Sequence, residues 1–221
     1  TTALDATDLS AIGSATTGTV TVTNAVVISG TAAENTAALV TAGSLVAVSD
    51  AAVTISDADS TSVNATVLSA IGAKTTGTVT ATNALAITGT GSEVTAALVT
   101  ASSKIVANDA STTASVSDAV TASVGSAIAQ VNNVAAAYAG GISDSLSNLA
   151  DSGAITAALT NIKNDDADVA ITISDADSTA MNATDLSAIG AATTGTVTVT
   201  NAVAISGTTA QNTAALVTSG S

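Results

Sequence analysis

Short runs along this chain alternate between valine and threonine. In residues 19–23, Val20 and Val22 alternate with threonines, and related runs return at residues 78–82 and 196–200. Alternation with a period of two is typical of a β-strand that has one face in the core and the other in water. We therefore predict a strand in each run, with the threonines more exposed than the buried residues Val20, Val22, Val79, Val197 and Val199.

Alanine-rich stretches follow these runs and carry apolar residues at helical spacing. Leu68 and Ile71 are three residues apart, which places them on one face of a helix. Ser60 and Thr61 precede this helix and are of the types that cap helix N-termini. The predicted helices have about two to three turns and are too short to be stable alone, so we expect them to pack on the strands.

The whole pattern repeats along the chain. The sequence Leu-Ser-Ala-Ile-Gly begins at Leu9, Leu68 and Leu186, so the copies are 59 and then 118 residues apart, and 118 is twice 59. Self-similarity at a fixed period is the signature of a repeat protein. We predict one repeat array over residues 1–221, with repeats at about 1–59 and 60–118, a diverged copy at 119–177 and a partial copy at 178–221.

Each period contains two similar halves, and a unit of about 30 residues lies in the range of solenoid coils. The sequence therefore predicts a mainly β, solenoid-type repeat array whose 59-residue period is made of two coils. Each coil would contain a strand, a corner, a second strand and a short helix. The corners are expected to place Asn24, Asn83 and Asn201 where their amides bond neighbouring backbone. Gly18, Gly77 and Gly195 begin strands at a phase where we expect a close approach of two backbones or a positive φ.

Composition and charge exclude several functions. The chain has 17 acidic residues against 3 lysines, a net charge of -14, and no Cys, His or Arg. These absences exclude zinc sites, disulfides and an imidazole base, and the negative charge opposes nucleic-acid binding. The chain contains no run of about 20 apolar residues, so we do not expect it to insert into a membrane. Asp and Glu alone are left as general bases, and no pair stands out, so we predict that the chain is not an enzyme.

Two turns are rich in oxygen ligands. Asp57 and Asp59 lie in the sequence Asp-Ala-Asp-Ser-Thr, and Asp175 and Asp177 lie in an identical turn. Carboxylates two residues apart, together with hydroxyls, resemble part of a calcium loop, and these four aspartates are the candidate calcium ligands. The alternative is an ordinary turn or helix start, where the same residue types are favoured. Residues 164–168 are denser in acids and are expected to form a solvated loop.

The units Leu186–Thr208 and Ala135–Ser143 resemble the β-strand repeat arrays of very large cyanobacterial surface proteins. The resemblance covers nearly the whole chain, implies an exported, extracellular or cell-surface structural role, and supplies no catalytic residues. We therefore expect a non-enzymatic subunit or segment of a filament, sheath or S-layer. The alternative is the rigid stalk of a large adhesin, stiffened by calcium, and a third hypothesis is a surface that binds ice or mineral.

The ends of the chain bear on assembly. The sequence begins at Thr1, at the phase that follows an Asp-Ala-Asp turn, and ends at Ser221, at the phase of Ser44. Neither end carries the polar capping repeat that keeps repeat arrays separate. We expect the ends to contact another copy head-to-tail, or the continuation of the same chain, in a filament or lattice.

Overall fold

The computed structural model describes residues 3–24, 26–41, 46–100 and 105–217, so the expectation about Thr1 and Ser221 lies outside the described residues. In these ranges nine helices form: α1 Ala6–Ser14, α2 Ala32–Leu39, α3 Ala65–Gly72, α4 Gly91–Leu98, α5 Ala122–Ala129, α6 Leu146–Leu149, α7 Ala157–Asp165, α8 Ala183–Ala192 and α9 Thr209–Leu216. The strands are β1 Ala3–Asp5, β2 Val20–Val22, β3 Val27–Gly30, β4 Val46–Val48, β5 Ala52–Ile55, β6 Thr61–Asn64, β7 Val79–Ala81, β8 Leu85–Gly89, β9 Ile105–Ala107, β10 Thr112–Val116, β11 Val134–Tyr138, β12 Ile142–Asp144, β13 Ala150–Asp151, β14 Ala154–Ile155, β15 Ile171–Ile173, β16 Ala180–Asn182, β17 Val197–Val199 and β18 Ala204–Ser206.

The prediction of a mainly β solenoid is wrong, because the fold is mixed α/β. Helices hold 35% of the residues and strands 30%, and the sheets are built from parallel strands. Parallel strands need a long crossover connection, and here the alanine-rich stretches supply it as helices. These helices are mostly eight to ten residues long, whereas the strands have two to five, so helix exceeds strand.

Six sheets are present among the described residues. Their strand orders are β1-β3-β5-β7-β9, β11-β10-β8-β6, β12-β15-β17, β13-β14, β16-β18 and β2-β4. The two-stranded sheet of β13 and β14 is antiparallel. The strand next to a given strand is therefore one to three strands further along the chain, which ties each segment to the following one.

Strand pairing recurs at constant sequence offsets in the copies of the repeat. The pairs Ala3 with Val27, Thr61 with Leu85 and Ala180 with Ala204 all join residues 24 positions apart. The pairs β2–β4 and β7–β9 join residues 26 positions apart, and so do β5–β7 and β15–β17. Segments at the same position of the repeat thus pair in the same register.

The chain divides into two compact units, and the boundary falls within β10 and β11. The first unit is Thr1–Ala114 with Val131–Ala135, and the second is Ser115–Gln130 with Ala136–Ser221. The first has the core Ile28, Ile55, Leu68, Ile71, Leu85, Ile87, Leu98 and Ile105, and the second has Ile128, Ile142, Leu149 and Leu159. Each core is built from branched aliphatic side chains of moderate volume, which suits elements that lie close together.

The valines of the alternating runs are buried according to the position of their strand. Val79 is buried, because β7 lies between β5 and β9 in the five-stranded sheet. Val20, Val22, Val197 and Val199 are half-buried, because β2 and β17 lie at the edges of smaller sheets, so the prediction of burial was wrong for these four. Thr21 and Thr198 are exposed, as the alternation predicts.

Helix starts and corners show which local predictions were correct. Leu68 and Ile71 are fully buried in α3, as their spacing predicts. The cap of α3 is Asn64, whose side chain accepts a hydrogen bond from the Thr66 N–H, so the assignment of the cap to Ser60 or Thr61 was wrong. The Asn83 amide donates to the Asp57 carbonyl at 2.7 Å, as expected of a corner asparagine.

The glycine before β7 is required by a close backbone approach. A Cβ on Gly77 would collide with the carbonyl of Ala51, and one on Gly195 with the carbonyl of Asp168. The prediction was wrong for Gly18, where a Cβ would make only an ordinary contact with the Thr16 hydroxyl. The hydroxyl of Thr75, two residues before Gly77, donates to the same Ala51 carbonyl at 2.6 Å. This contact joins segments 24 residues apart, so the Thr-Thr-Gly sequence fixes the distance between neighbouring backbones.

A buried asparagine in α2 has an incomplete set of partners. Asn35 is 0% exposed, and its Nδ2 donates to the carbonyls of Gly30, Thr31 and Thr54 at 2.8, 3.0 and 3.1 Å. Its Oδ1 is buried without a hydrogen-bond partner among the described residues. Val94 holds the same position in the next repeat and is also 0% exposed.

We expect Asn35→Val to leave the free energy of unfolding unchanged or to raise it, because it removes an unsatisfied oxygen and installs the side chain of the next repeat. The reverse change, Val94→Asn, is expected to lower it by about 1–3 kcal/mol, because it buries a polar group. Urea denaturation of the three proteins measures both effects. If Asn35→Val lowered the free energy of unfolding as much as Val94→Asn, the unpartnered Asn35 oxygen would not weaken the fold.

Candidate functional site

The two Asp-Ala-Asp turns occupy the same place in two copies of the repeat. Asp57 and Asp59 lie between β5 and β6, and Asp175 and Asp177 lie between β15 and β16. Each turn ends in a serine with a left-handed backbone, with φ of 62° at Ser60 and 66° at Ser178. Each is closed by a threonine hydroxyl that donates to the carbonyl of the alanine between the aspartates.

The first aspartate of each turn binds the start of an earlier helix. Asp57 Oδ2 accepts a hydrogen bond from the N–H of Ala32, the first residue of α2, at 2.6 Å. Asp175 Oδ2 accepts from the N–H of Leu146, the first residue of α6, at 2.7 Å. The first N–H groups of a helix have no partner within it, and an anion there is favoured by charge as well as geometry.

The second aspartate binds a later segment. Asp59 Oδ1 accepts from the Ala84 N–H, and Asp177 Oδ1 accepts from the Ala202 N–H, both at 3.1 Å. Each turn therefore bonds to one segment that precedes it by 25 or 29 residues and to another that follows it by 25 residues. We call these bonds between distant carboxylates and backbone N–H groups the aspartate clamps.

A third clamp to a helix start lies outside the turns predicted from the sequence. Asp144 Oδ2 accepts from the N–H of Ala122, the first residue of α5, at 2.9 Å. Asp144 has no Asp-Ala-Asp turn, but it ends the tripeptide Ile-Ser-Asp, which also ends at Asp57 and Asp175. This tripeptide, rather than the Asp-x-Asp pattern, is the signal that identifies the clamp.

The four predicted calcium ligands do not form one coordination sphere with other acids. In the ranges that the structure describes, no group of three or more Asp, Glu, His or Cys side chains is placed to hold a metal ion. The carboxylates of Asp57, Asp59, Asp175 and Asp177 instead each accept a backbone N–H. Calcium binding at these turns stays a prediction.

The acidic segment at residues 164–168 binds the edge of a strand. Asp165 Oδ2 accepts from the Ala136 N–H at 3.1 Å, and Asp166 Oδ2 accepts from the Tyr138 N–H at 2.7 Å. Ala136 and Tyr138 are alternate residues of β11, the terminal strand of its sheet. The carboxylates thus occupy N–H groups that another strand would otherwise pair with.

The same placement alters the acidity of these groups. Burial raises the pKa of Asp165 above its ordinary value. Burial also raises the pKa of Asp166, and the nearby Asp168 carboxylate adds to the effect. Both aspartates are half-buried, so the expectation of a fully solvated loop was wrong for them.

The single aromatic residue belongs to the same region. Tyr138 is 2% exposed, and its hydroxyl donates to the Gly125 carbonyl in α5 at 2.6 Å. Burial is the main cause that raises the pKa of this phenol, and the charges of Asp165 and Asp166 raise it further. Tyr138 is therefore a structural side chain of the diverged copy.

A cavity of about 440 Å³ lies beside α5. Its polar side chains include Ser126, Gln130, Asp144 and Asn148. They bond chiefly to one another or to backbone: Gln130 Nε2 donates to Ser126 O at 2.9 Å, and Asn148 Nδ2 donates to Asp144 Oδ1 at 2.7 Å. These polar groups therefore have structural partners.

Comparisons with known proteins give no relative to which the site could be referred. No protein-family model matches the chain, and no curated protein or solved structure matches it. The longest helix in the described ranges is α8, with 10 residues. Crossing a bilayer takes about 20 apolar residues, and none of the described helices could span a membrane.

Removing an aspartate clamp should destabilise the fold even when no metal ion is present. We expect Asp57→Ala to lower the free energy of unfolding by about 0.5–2 kcal/mol, because the first N–H of α2 loses its acceptor. Asp50→Ala, at an exposed aspartate seven residues earlier, is the control and should change stability by less than about 0.5 kcal/mol. Urea denaturation in the presence of a chelator measures the free energy of unfolding of both variants. Equal losses in the two variants would contradict a stabilising role for the Asp57 clamp.

Asp165→Asn should stabilise the protein at neutral pH. Because the folded-state pKa of Asp165 is raised, its contribution to stability is present below the unfolded pKa of about 3.9 and is lost as pH rises through the folded pKa. Asparagine keeps an acceptor for the Ala136 N–H without the charge. We expect a Tm higher by roughly 1–2 °C at pH 7, since solvent screens part of the effect, and no increase at about pH 3. Asp8→Asn on the exposed surface of α1 is the control, and an increase at pH 3 would contradict the assignment.

Proposed function

We propose that this chain is a non-enzymatic, extracellular structural protein that serves as a subunit or segment of a cell-surface filament, sheath or S-layer. The observation that carries the proposal is that successive copies of the repeat are joined by the same strand register, in β5–β7 and again in β15–β17. Within the copies, neighbouring segments are joined by the same registers and clamps. A surface that recognises a copy of itself within one chain is suited to recognise a copy outside it. The resemblance to cyanobacterial surface repeats, the lack of cysteine and the acidic balance also support this role.

One apolar position on α1 supports self-association. Ile12 is 54% exposed, whereas Ile71 and Ile189, at the same position of the repeat, are both 0% exposed. In α3 the buried isoleucine lies on a helix that contacts α2 of the preceding segment. The α1 surface around Ile12 therefore has the chemistry of a face that is covered in the other copies.

The last helix carries a complementary face. Leu216 of α9 is 62% exposed, whereas Leu39 in α2 and Leu98 in α4 are 4% and 0% exposed. Val217 beside it is 75% exposed. Large exposed aliphatic side chains at positions that the repeat otherwise buries favour an interaction surface over an ordinary solvated one.

The proposal is that further repeats cover these faces, in another copy or in the same polypeptide. The contact would be head-to-tail, with a surface like that of α9 against one like that of α1, as α2 contacts α3 within the first unit. A head-to-tail contact that does not close into a ring produces an open filament.

The isolated chain is expected to assemble at micromolar concentration. Ile12→Asp and Leu216→Asp should each reduce assembly at least about tenfold, because an unpaired charge would be buried in an apolar contact. Light scattering gives the extent of assembly, and electron microscopy gives its form. Ser14→Asp is the matched control, because Ser14 is exposed and so are Ala73 and Ala191 at the same position of the repeat.

The alternative function, a calcium-stiffened adhesin stalk, gives a different result in the same experiment. A stalk would remain monomeric with or without calcium, and calcium would raise its Tm. Equal assembly by the Ile12, Leu216 and Ser14 variants would contradict the proposed contact.

A further inference from the structure

Strand β18 lacks a neighbour that the equivalent strands of other copies have. It holds the same position of the repeat as β3 and β8. β3 lies between β1 and β5 in its sheet, and β8 lies between β6 and β10 in the same way. β18 pairs with β16 alone, so its second edge is open among the described residues.

This open edge is not a general feature of the repeat. The strands β1, β6 and β16 share another position, and all three are terminal strands of their sheets, so a free edge there is the rule. The central isoleucine of β18 shows the difference. Ile28 and Ile87 are 0% and 1% exposed, whereas Ile205, their equivalent in β18, is half-buried. A strand added at this edge would cover apolar surface that the other copies bury.

Asn212 of α9 lacks a partner that its equivalent, Asn35 of α2, has. Asn35 Nδ2 donates to the two carbonyls that immediately precede α2 and also to the Thr54 carbonyl of β5, at 3.1 Å. The one acceptor of Asn212 Nδ2 in the described ranges is the Gly207 carbonyl, at 3.4 Å. The missing acceptor is the one that a strand in the place of β5 supplies.

The first N–H of α9 lacks the carboxylate that completes the start of α2. Both helices begin with a capping box. In α2 the first N–H, that of Ala32, is bound in addition by Asp57, two residues after β5 ends. The Thr209 N–H holds this position in α9 and has no acceptor among the described residues. An anion is favoured there by charge and by geometry.

The neighbouring strand β17 has an open edge as well. β2 and β7 hold the same position in other copies, and they pair with β4 and β9, which lie 26 residues further along. β17 pairs with β15 alone in the part of the chain that the structure describes. Because β4 comes directly before β5, one segment with the sequence of residues 46–57 would occupy both edges in the registers of the first copy.

We propose that the open edges of β17 and β18 bind an extended segment of a further repeat, with the chemistry of residues 46–57, as two added parallel strands. Backbone hydrogen bonds hold the segment, its alternating aliphatic side chains cover Ile205, and its last carboxylate accepts the Thr209 N–H. The inference rests on the proposed function and names the partner of the α9 end.

The bound segment is donated by a repeat whose own strands are still unpaired. In the folded first copy β5 lies between β3 and β7, so both of its edges are in use. A folded copy therefore offers no free strand of this type, and self-association at this end adds a strand pair to the sheets rather than joining two finished surfaces.

A synthetic peptide with the sequence of residues 46–57, labelled at its N-terminus, tests the proposal by fluorescence anisotropy. Its partner is the full chain carrying Ile12→Asp, in which the proposed α1 contact does not compete for the α9 end. We expect saturable one-to-one binding, and none of a scrambled peptide. Ile55→Asp in the peptide should weaken binding at least about tenfold, because Ile55 is 0% exposed in β5 and a charge would be buried.

Thr209→Pro in the same chain removes the N–H that the carboxylate would bind. Proline is favoured at the first position of a helix, and Thr208 before it is extended, with ψ of 164°, so the helix start is preserved. We expect affinity about fivefold lower. Asp57→Ala in the peptide should weaken binding similarly to the unaltered site and hardly further to Thr209→Pro. Ala157→Pro, at the exposed first position of α7, is the matched control and should leave affinity unchanged.

The other outcomes overturn the proposal. They are equal binding of the scrambled peptide and equal weakening by Thr209→Pro and Ala157→Pro. If Thr209→Pro does not fold by circular dichroism, the peptide variants decide, and unchanged affinity of both overturns the proposal. Assembly of the unmodified chain without peptide binding would remove this inference and leave the proposed function in place. Peptide binding without assembly would support the strand site and contradict the filament.

Discussion

The fold depends on hydrogen bonds between segments about 25 residues apart, because no single element is long enough to be stable by itself. The strands have two to five residues and most of the helices eight to ten, below the length at which an isolated helix persists in water. The first N–H groups of a helix are the hardest to satisfy in such short pieces. In α2 the N–H of Ala32 is bound by Asp57, while Thr31 and Glu34 form a reciprocal capping box. The helix start is thus completed by a residue of the next segment.

The same bonds explain how a strongly acidic chain folds. Aspartate carboxylates are not placed at random on the surface but accept backbone N–H groups from distant segments. The acids that do so are Asp57, Asp59, Asp144, Asp165, Asp166, Asp175, Asp177 and Asp185. Hydrogen bonds to an ionised acceptor are stronger than those between neutral groups, but at Asp165 and Asp166 burial opposes the charge and raises the pKa. Negative charge here has a structural use, which connects the composition to the architecture without requiring a counter-ion at every turn.

Much of the local structure could be predicted from periodicity. The alternating runs gave the strands β2, β7 and β17, and the spacing of Leu68 and Ile71 gave the buried face of α3. The proportions of helix and strand could not be predicted, because threonine is favoured within strands and also caps the starts of helices. Thr31, Thr90 and Thr208 are β-branched residues that suggest strand by composition, yet each is the N-cap of a helix. A side-chain oxygen that accepts a backbone N–H outweighs intrinsic strand preference at these positions.

The role of an aspartate depends on partners that its own neighbourhood in the sequence does not identify. The oxygen-rich turns suggested a cation, whereas the nearest donors are backbone N–H groups of other repeats. The Ile-Ser-Asp tripeptide ending at Asp144 would have revealed a clamp outside those turns.

Asp8 and Asp185 show that an identical local sequence does not fix the surroundings of a carboxylate. The same eight residues place the carboxylate in water in α1 and in a cavity wall in α8. The repeat supplies a uniform framework, and the diverged copy changes the surroundings of one of its residues by adding a short hairpin, Ala150–Ile155. The regularity of the array is broken in the segment between β12 and α8, where the hairpin lies beside an otherwise ordinary repeat.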